Sequence, residues 1–296
     1  MTLSEPEIRG FWDGLDRELA GIPLALRLER DAFYSQPEWD VYRMRYNGAE
    51  GYRLFAWLSI PSRPREGGFP ALLRMPDYAS VHDLIYTPLR HVAIVMNATH
   101  RGQRHSGSPF QAQYPGLLTE GISDPQAYVL RRVFADGLRA VDALMGQGEA
   151  AVGALAVAGA GLGGSLALAA AARRPRVTVV AADTPLALGR PEVLEAAAYP
   201  LAELNDYLRV NPHHRNAMLA GTSPLDMLNL APGIAAPVLL SVGRRDRGLC
   251  PLAFGETLAA RLPRCDLRVY DGAGEGGGHE HNVFRGRWLG QQLGVG

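Results

Sequence analysis

The sequence contains no lysine: all thirty basic residues among its 296 are arginine. Lysine Schiff-base chemistry and a phosphate-cradling P-loop lysine are thereby excluded. Cysteine is nearly missing as well, with Cys250 and Cys265 too few for a disulfide framework or a structural zinc site. Thirty acidic residues balance the arginines to a formal net charge of zero, and no run of like charges stands out. Neither nucleic acid nor a membrane is therefore an expected partner. No stretch reaches the roughly 20 apolar residues of a membrane span. The opening "MTLSEPEIRGFWDGLDREL" lacks the apolar centre of a signal peptide, so a soluble, cytoplasmic protein is expected.

Hydrophobic residues make up 47% of the chain, enough for a large core. Short apolar runs alternate with helical patterns. "WDVYRMRY" (39–46) and "YRLFAWLSI" (52–60), joined by "NGAEG", read as an antiparallel edge hairpin. Buried-type strands are expected at 71–75, 91–98, 154–160, 176–182, 237–243 and 266–272, with helices near 126–146, 162–173 and 252–262. This rhythm predicts an α/β fold, a mainly parallel twisted sheet of about eight strands covered on both faces. One domain over residues 1–296 is expected, with an N-terminal extension to about residue 36 and a helical insertion over about 184–235. The loops 76–86, 101–125 and 184–224 are expected to line a pocket beyond the strand ends.

The segment "AVAGAGLGGSLALAAAA" (156–172) carries a strand end, a glycine turn and a helix start. It has the frame of the turn that holds the nucleophile of an α/β hydrolase, Gly159-Ala160-Gly161-Leu162-Gly163. Its central residue, Gly161, has no side chain. Downstream, in the order such enzymes use, Asp246 follows the strand "PVLLSVG" in the place of a triad acid. His279 or His281 follows "DLRVYDG" in the place of the base. The "HEH" run could ligate a metal only together with Asp246. No second paired-ligand motif supports that, and no metal or other cofactor is expected. Ser165, Cys250 and Thr184 are the nearby hydroxyl and thiol groups, and each reads more simply as packing or turn chemistry.

Several ordered segments together resemble the acetyl xylan esterase and cephalosporin-C deacetylase family of α/β hydrolases. They are "FW" at 11–12, "RGQ" at 101–103, "GLLTEGI" with "YVLRRVFADGLRAVDAL" (116–144), "LDMLNLAPGIAAPVLLSVGRRD" (225–246) and "RVYDGAGEGGGHE" (268–280). The resemblance implies Asp246 as acid, His279 as base, and Gly161 where that family places serine. It implies oxyanion donors at the backbone N–H groups of Leu162 and Tyr78. The family's His-Gly-Tyr run is replaced here by Pro76-Asp77-Tyr78, and an anion is expected to be disfavoured there if Asp77 points inward. Arg101 and Gln103 are pocket candidates, although "RGQ" reads chiefly as loop-shaping. A homo-oligomer and a small, acetylated or sugar-like ligand are further implications. Three functions follow: a binding or assembly protein unable to form an acyl-enzyme, a His279–Asp246 general-base enzyme, or an esterase silenced at position 161.

Overall fold

The computed structural model describes residues 3–78, 84, 87–107, 112, 115–271 and 276–295. Parts of the expected pocket loops 76–86 and 101–125 lie outside the described residues, as do residues 272–275 of the glycine run before His279.

Nine strands form one sheet: β1 (Arg27–Arg30), β2 (Trp39–Asn47), β3 (Arg53–Pro61), β4 (Phe69–Arg74), β5 (Ile94–Ala98), β6 (Val152–Ala160), β7 (Val179–Asp183), β8 (Val238–Gly243) and β9 (Cys265–Tyr270). Their order is β1-β2-β3-β5-β4-β6-β7-β8-β9. The first three strands and the β3–β5 pair run antiparallel, and β5 onward is parallel. The hairpin read from the sequence is β2–β3, in register from Trp39↔Pro61 to Asn47↔Arg53. The strand beyond the expected eight is β1, "RLER", short and mostly exposed, with no apolar pattern to announce it.

Nine α-helices surround the sheet among the described residues: α1 (Glu5–Ala20), α2 (Val129–Met145), α3 (Leu162–Arg173), α4 (Pro191–Leu194), α5 (Ala202–Val210), α6 (Arg215–Thr222), α7 (Met227–Leu230), α8 (Leu252–Arg261) and α9 (Gly278–Gln292). The stretch between β7 and β8 holds α4–α7. α1 turns what read as a plain extension into a packed element: Trp12 is fully buried, its indole N–H donates to the Pro224 carbonyl at 3.1 Å, and its ring meets Phe134 edge-on.

Strand residues alternate between the two faces, as a period of two requires. Ala71, Leu73, Leu155, Val157, Val180 and Ala182 join the large core shared with α1, α2, α3 and α8. Leu72, Ala156, Ala158, Val179 and Ala181 face the other way, with Leu289 of α9 and Leu293 just past its end. Ala156, Ala158 and Ala181 keep part of that face shallow, and a cavity remains between it and α9.

Candidate functional site at the glycine turn

β6 delivers the chain to Gly161, which stands at φ +55°, ψ −122° immediately before α3. This left-handed backbone is strained for any residue with a β-carbon. Packing around the turn is equally tight. A β-carbon on Gly159 would lie 2.4 Å from the Gly163 backbone, so the chain can double back only through bare glycine.

The space beside Gly161 is occupied by Asp77. A β-carbon on Gly161 would come within 2.4 Å of Asp77 Oδ1. That same oxygen accepts hydrogen bonds from the backbone N–H of Leu162 at 2.9 Å and of Tyr78 at 2.7 Å. These are the two amides the sequence marked as oxyanion donors. Asp77 does point inward, the condition under which an external anion is expected to be disfavoured here: the carboxylate on the donors belongs to the chain itself. Leu162 opens α3, and the partial positive charge of a helix N-terminus suits a carboxylate. Burial pushes the Asp77 pKa up from its ordinary value of 3.8, with the two amide bonds pulling the other way.

Neighbouring groups hold Asp77 in place. Gln103 donates from Nε2 to the Asp77 carbonyl at 2.7 Å and accepts from the His100 N–H at 3.1 Å. The Tyr78 hydroxyl donates to Glu203 Oε1 and accepts from the Leu117 N–H at 2.9 Å, while Glu203 Oε2 accepts from the Leu118 N–H at 3.1 Å. Glu203, on α5, carried no sequence signal. Arg101 is committed to its own fold: its guanidinium forks onto Asp136 at 2.8 and 3.0 Å, donates to the Ala49 carbonyl at 3.1 Å and lies over the Tyr52 ring. These bonds tie its loop to α2 and to the turn between β2 and β3.

The acid and base read from the sequence do not meet. Both carboxylate oxygens of Asp246 accept from its own loop, Oδ1 from the N–H of Gly248 (3.1 Å) and Leu249 (2.9 Å), Oδ2 from that of Cys250 (3.1 Å). Asp246 lines a cavity of about 400 Å³ with Arg247 and Phe254, whereas Gly161 lines another, of about 180 Å³, with Asp77, Tyr78, Thr184 and Tyr199. His279 is exposed in the first turn of α9. Among the described residues neither side chain hydrogen-bonds the other. The expected loop position of His279 is thus corrected to a helical one, with a direct consequence. Two residues apart on a helix is about 200° around its axis, so only one of the two histidines can face the sheet.

His281 is the one that does. It is 2% exposed, with Nε2 2.7 Å from Asp183 Oδ1 and Nδ1 2.8 Å from the Tyr270 hydroxyl. Asp183 also accepts from Ser241 at 3.0 Å and pairs with Arg285. Burial alone would raise the Asp183 pKa, but His281, Arg285 and Ser241 together hold it below 3.8. Sequence reasoning missed Asp183, although a carboxylate ending the strand beside the glycine turn is a legible signal. The substitutes for a nucleophile are also placed: Ser165 is fully buried with its hydroxyl aimed at the Leu186 carbonyl, and Cys250 is fully buried with its thiol pKa pushed well up by burial. Only Thr184, at φ +40°, shares the small cavity with Gly161.

The acetyl xylan esterase family model matches residues 3–289 of this sequence. The chain belongs to that family. The acetyl xylan esterase from Paenibacillus sp. R4 is similar at 26% identity, with a TM-score of 0.85 over 98% of this chain and 96% of that one. The acetyl xylan esterase 1 from Thermoanaerobacterium sp. JW/SL YS485 shares the fold at 24% identity, with a TM-score of 0.81 over 98% and 93%. A Pyrococcus furiosus esterase shares it more distantly, at 15% identity and a TM-score of 0.57 over 92% and 91%. The α/β hydrolase fold of the acetyl xylan esterase family is therefore the fold of this chain. Among the described residues, no group of three or more His, Cys, Asp or Glu side chains could hold a metal ion, and no helix is long and apolar enough to cross a membrane.

Proposed function

We propose that this member of the acetyl xylan esterase family has kept the hydrolase scaffold and given up acyl-enzyme formation, and that it binds a small molecule rather than hydrolysing an ester. One observation carries the reading: Asp77 Oδ1 sits on the N–H groups of both Leu162 and Tyr78, beside a Gly161 that offers no attacking atom. A tetrahedral oxyanion would need those same donors, and it would meet a carboxylate already there. Loss of a serine nucleophile alone costs about 10⁶ in kcat in a serine hydrolase. The general-base alternative draws no support from Asp246, whose oxygens are committed to three amides. A homo-oligomer with an acetylated or sugar-like ligand completes the proposal, on family likeness alone.

The test is an assay of 4-nitrophenyl acetate and acetylated xylose on the natural chain, on Gly161→Ser and on Gly161→Ser/Asp77→Gly, with mass spectrometry for an acetyl adduct. The natural chain should show neither burst nor adduct, and Gly161→Ser should stay silent while Asp77 fills the donors. An acetylated natural chain, or saturable turnover abolished by His279→Ala, would overturn the proposal.

A further inference from the structure

On the α9 side of the sheet a cavity of about 520 Å³ lies between the ends of β4 and β6 and the helix, lined by Arg74, Arg285, Asn282 and Thr87 among apolar residues. Its origin is compositional: Ala158, Gly159 and Ala160 on its floor leave room that larger side chains would close. Two guanidiniums therefore share one chamber, and their charges are unevenly matched. Arg285 pairs with Asp183 and donates from Nη2 to Asn282 Oδ1 at 2.7 Å. Asp183 accepts from Arg285, His281 and Ser241, and none of its hydrogen bonds goes to Arg74. The Arg74 side chain makes no hydrogen bond and no ion pair among the described residues.

Asp77 is the only acidic group on the cavity wall among the described residues, and its Oδ1 is turned to the amides of Leu162 and Tyr78. Burial and the charge of Arg285 push the Arg74 pKa down to about 10, against the pull of Asp183, and leave it cationic at neutral pH. A half-buried cation with a like charge as its neighbour is a costly arrangement for a protein to keep unless an anion joins it. A planar guanidinium fork is suited to a carboxylate or a phosphate. The rest of the wall decides between them. Leu72, Leu89 and Leu289 give an apolar surface that a compact, fully hydrated phosphate would not use. The volume suits an organic molecule of modest size.

We propose that this cavity, which borders the glycine turn and shares Asp77 and Ala160 with the small cavity at Gly161, is a second ligand site that binds a small organic carboxylate with an apolar body. The carboxylate is held by Arg74 and completed by Arg285 and the Asn282 amide, and the body lies against the leucines. No acyl-transfer step enters this assignment, so it stands or falls separately from the reading of the glycine turn.

Isothermal titration of the full chain with 4-phenylbutyrate, its neutral amide and inorganic phosphate tests the site. The carboxylate should bind one per chain and at least about tenfold more tightly than the amide, as expected when a charged hydrogen-bonded partner is lost. Arg74→Met should weaken carboxylate binding at least about tenfold, and Arg74→Lys by less. Equal binding of acid and amide to the natural chain would overturn the proposal without recourse to any variant. So would phosphate binding as strong as that of 4-phenylbutyrate, unchanged affinity in a folded Arg74→Met, or no carboxylate binding at millimolar concentration.

Discussion

Asp77 Oδ1 lies 2.9 Å from the backbone nitrogen of Leu162 and 2.7 Å from that of Tyr78, so the two amides flanking the glycine turn share one acceptor. The carboxylate also stands where a side chain on Gly161 would begin. Residues 77 and 161 are thus coupled, and neither can change without the other responding.

That coupling is measurable by chemical denaturation. Gly161→Ala should destabilise the chain by about 1–3 kcal/mol through its positive φ and the clash with Asp77. In an Asp77→Gly background the clash disappears and the penalty should shrink toward the backbone term alone. A double-mutant cycle with no interaction energy would contradict the geometry.

Asp77 also sets a pH dependence. Its folded-state pKa is raised above 3.8 by burial, so its contribution to stability is full below that value and is lost as pH rises through the folded-state pKa. Glu203 and Asp226 are raised in the same direction, also first by burial. Between about pH 4 and neutrality, the unfolding free energy of Asp77→Asn should therefore fall less steeply than that of the natural chain. Parallel curves would show that Asp77 ionises without cost.

The opposite sign applies to Asp183. Its pKa is held below 3.8, so its stabilisation is present above that value and is lost as pH falls through the folded-state pKa. Asp183→Ala should cost about 3 kcal/mol at neutral pH, the low end for breaking a buried pair, because the Arg285 side chain keeps 20% exposure. The two unfolding curves should converge on acidification.

The two histidines of α9 should separate cleanly. His281→Ala strips a buried hydrogen-bonding partner from both Asp183 and Tyr270, and the melting temperature should drop by several degrees. His279→Ala alters an exposed side chain and should leave it unchanged. The reverse order would contradict the buried, hydrogen-bonded placement of His281.

Arg101 and Asp136 make the fifth stability test. Their side chains are 5% and 1% exposed, and loss of either alone should cost about 3–5 kcal/mol. The double variant Arg101→Met/Asp136→Leu should recover part of that loss, since no buried charge is then left unpaired.

Much of this was legible from residue order. The central strands announced themselves as continuous apolar runs, and α3 was bounded correctly at residues 162–173 because an alanine-rich stretch follows a glycine turn. The Leu162 and Tyr78 amides were named in advance because family likeness fixed their positions. What escaped notice depended on contacts between distant segments. α9, "GHEHNVFRGRWLGQQ", contains three glycines and a weak apolar face, so its histidines read as loop residues. The tie between Asp183 and His281 spans 98 residues, and nothing in either neighbourhood advertises the other. The inward turn of Asp77 likewise depends on Gln103, 26 residues away.

Because Asp77 is part of the polypeptide, it behaves as a tethered occupant of the turn, with the high effective concentration that covalent linkage confers. Dialysis cannot remove it, and an external anion competes with it at a standing disadvantage. Whatever opens the turn must therefore pull on the backbone of residue 77. The Gln103 amide, hooked to that residue's carbonyl, is the latch such a movement would have to release.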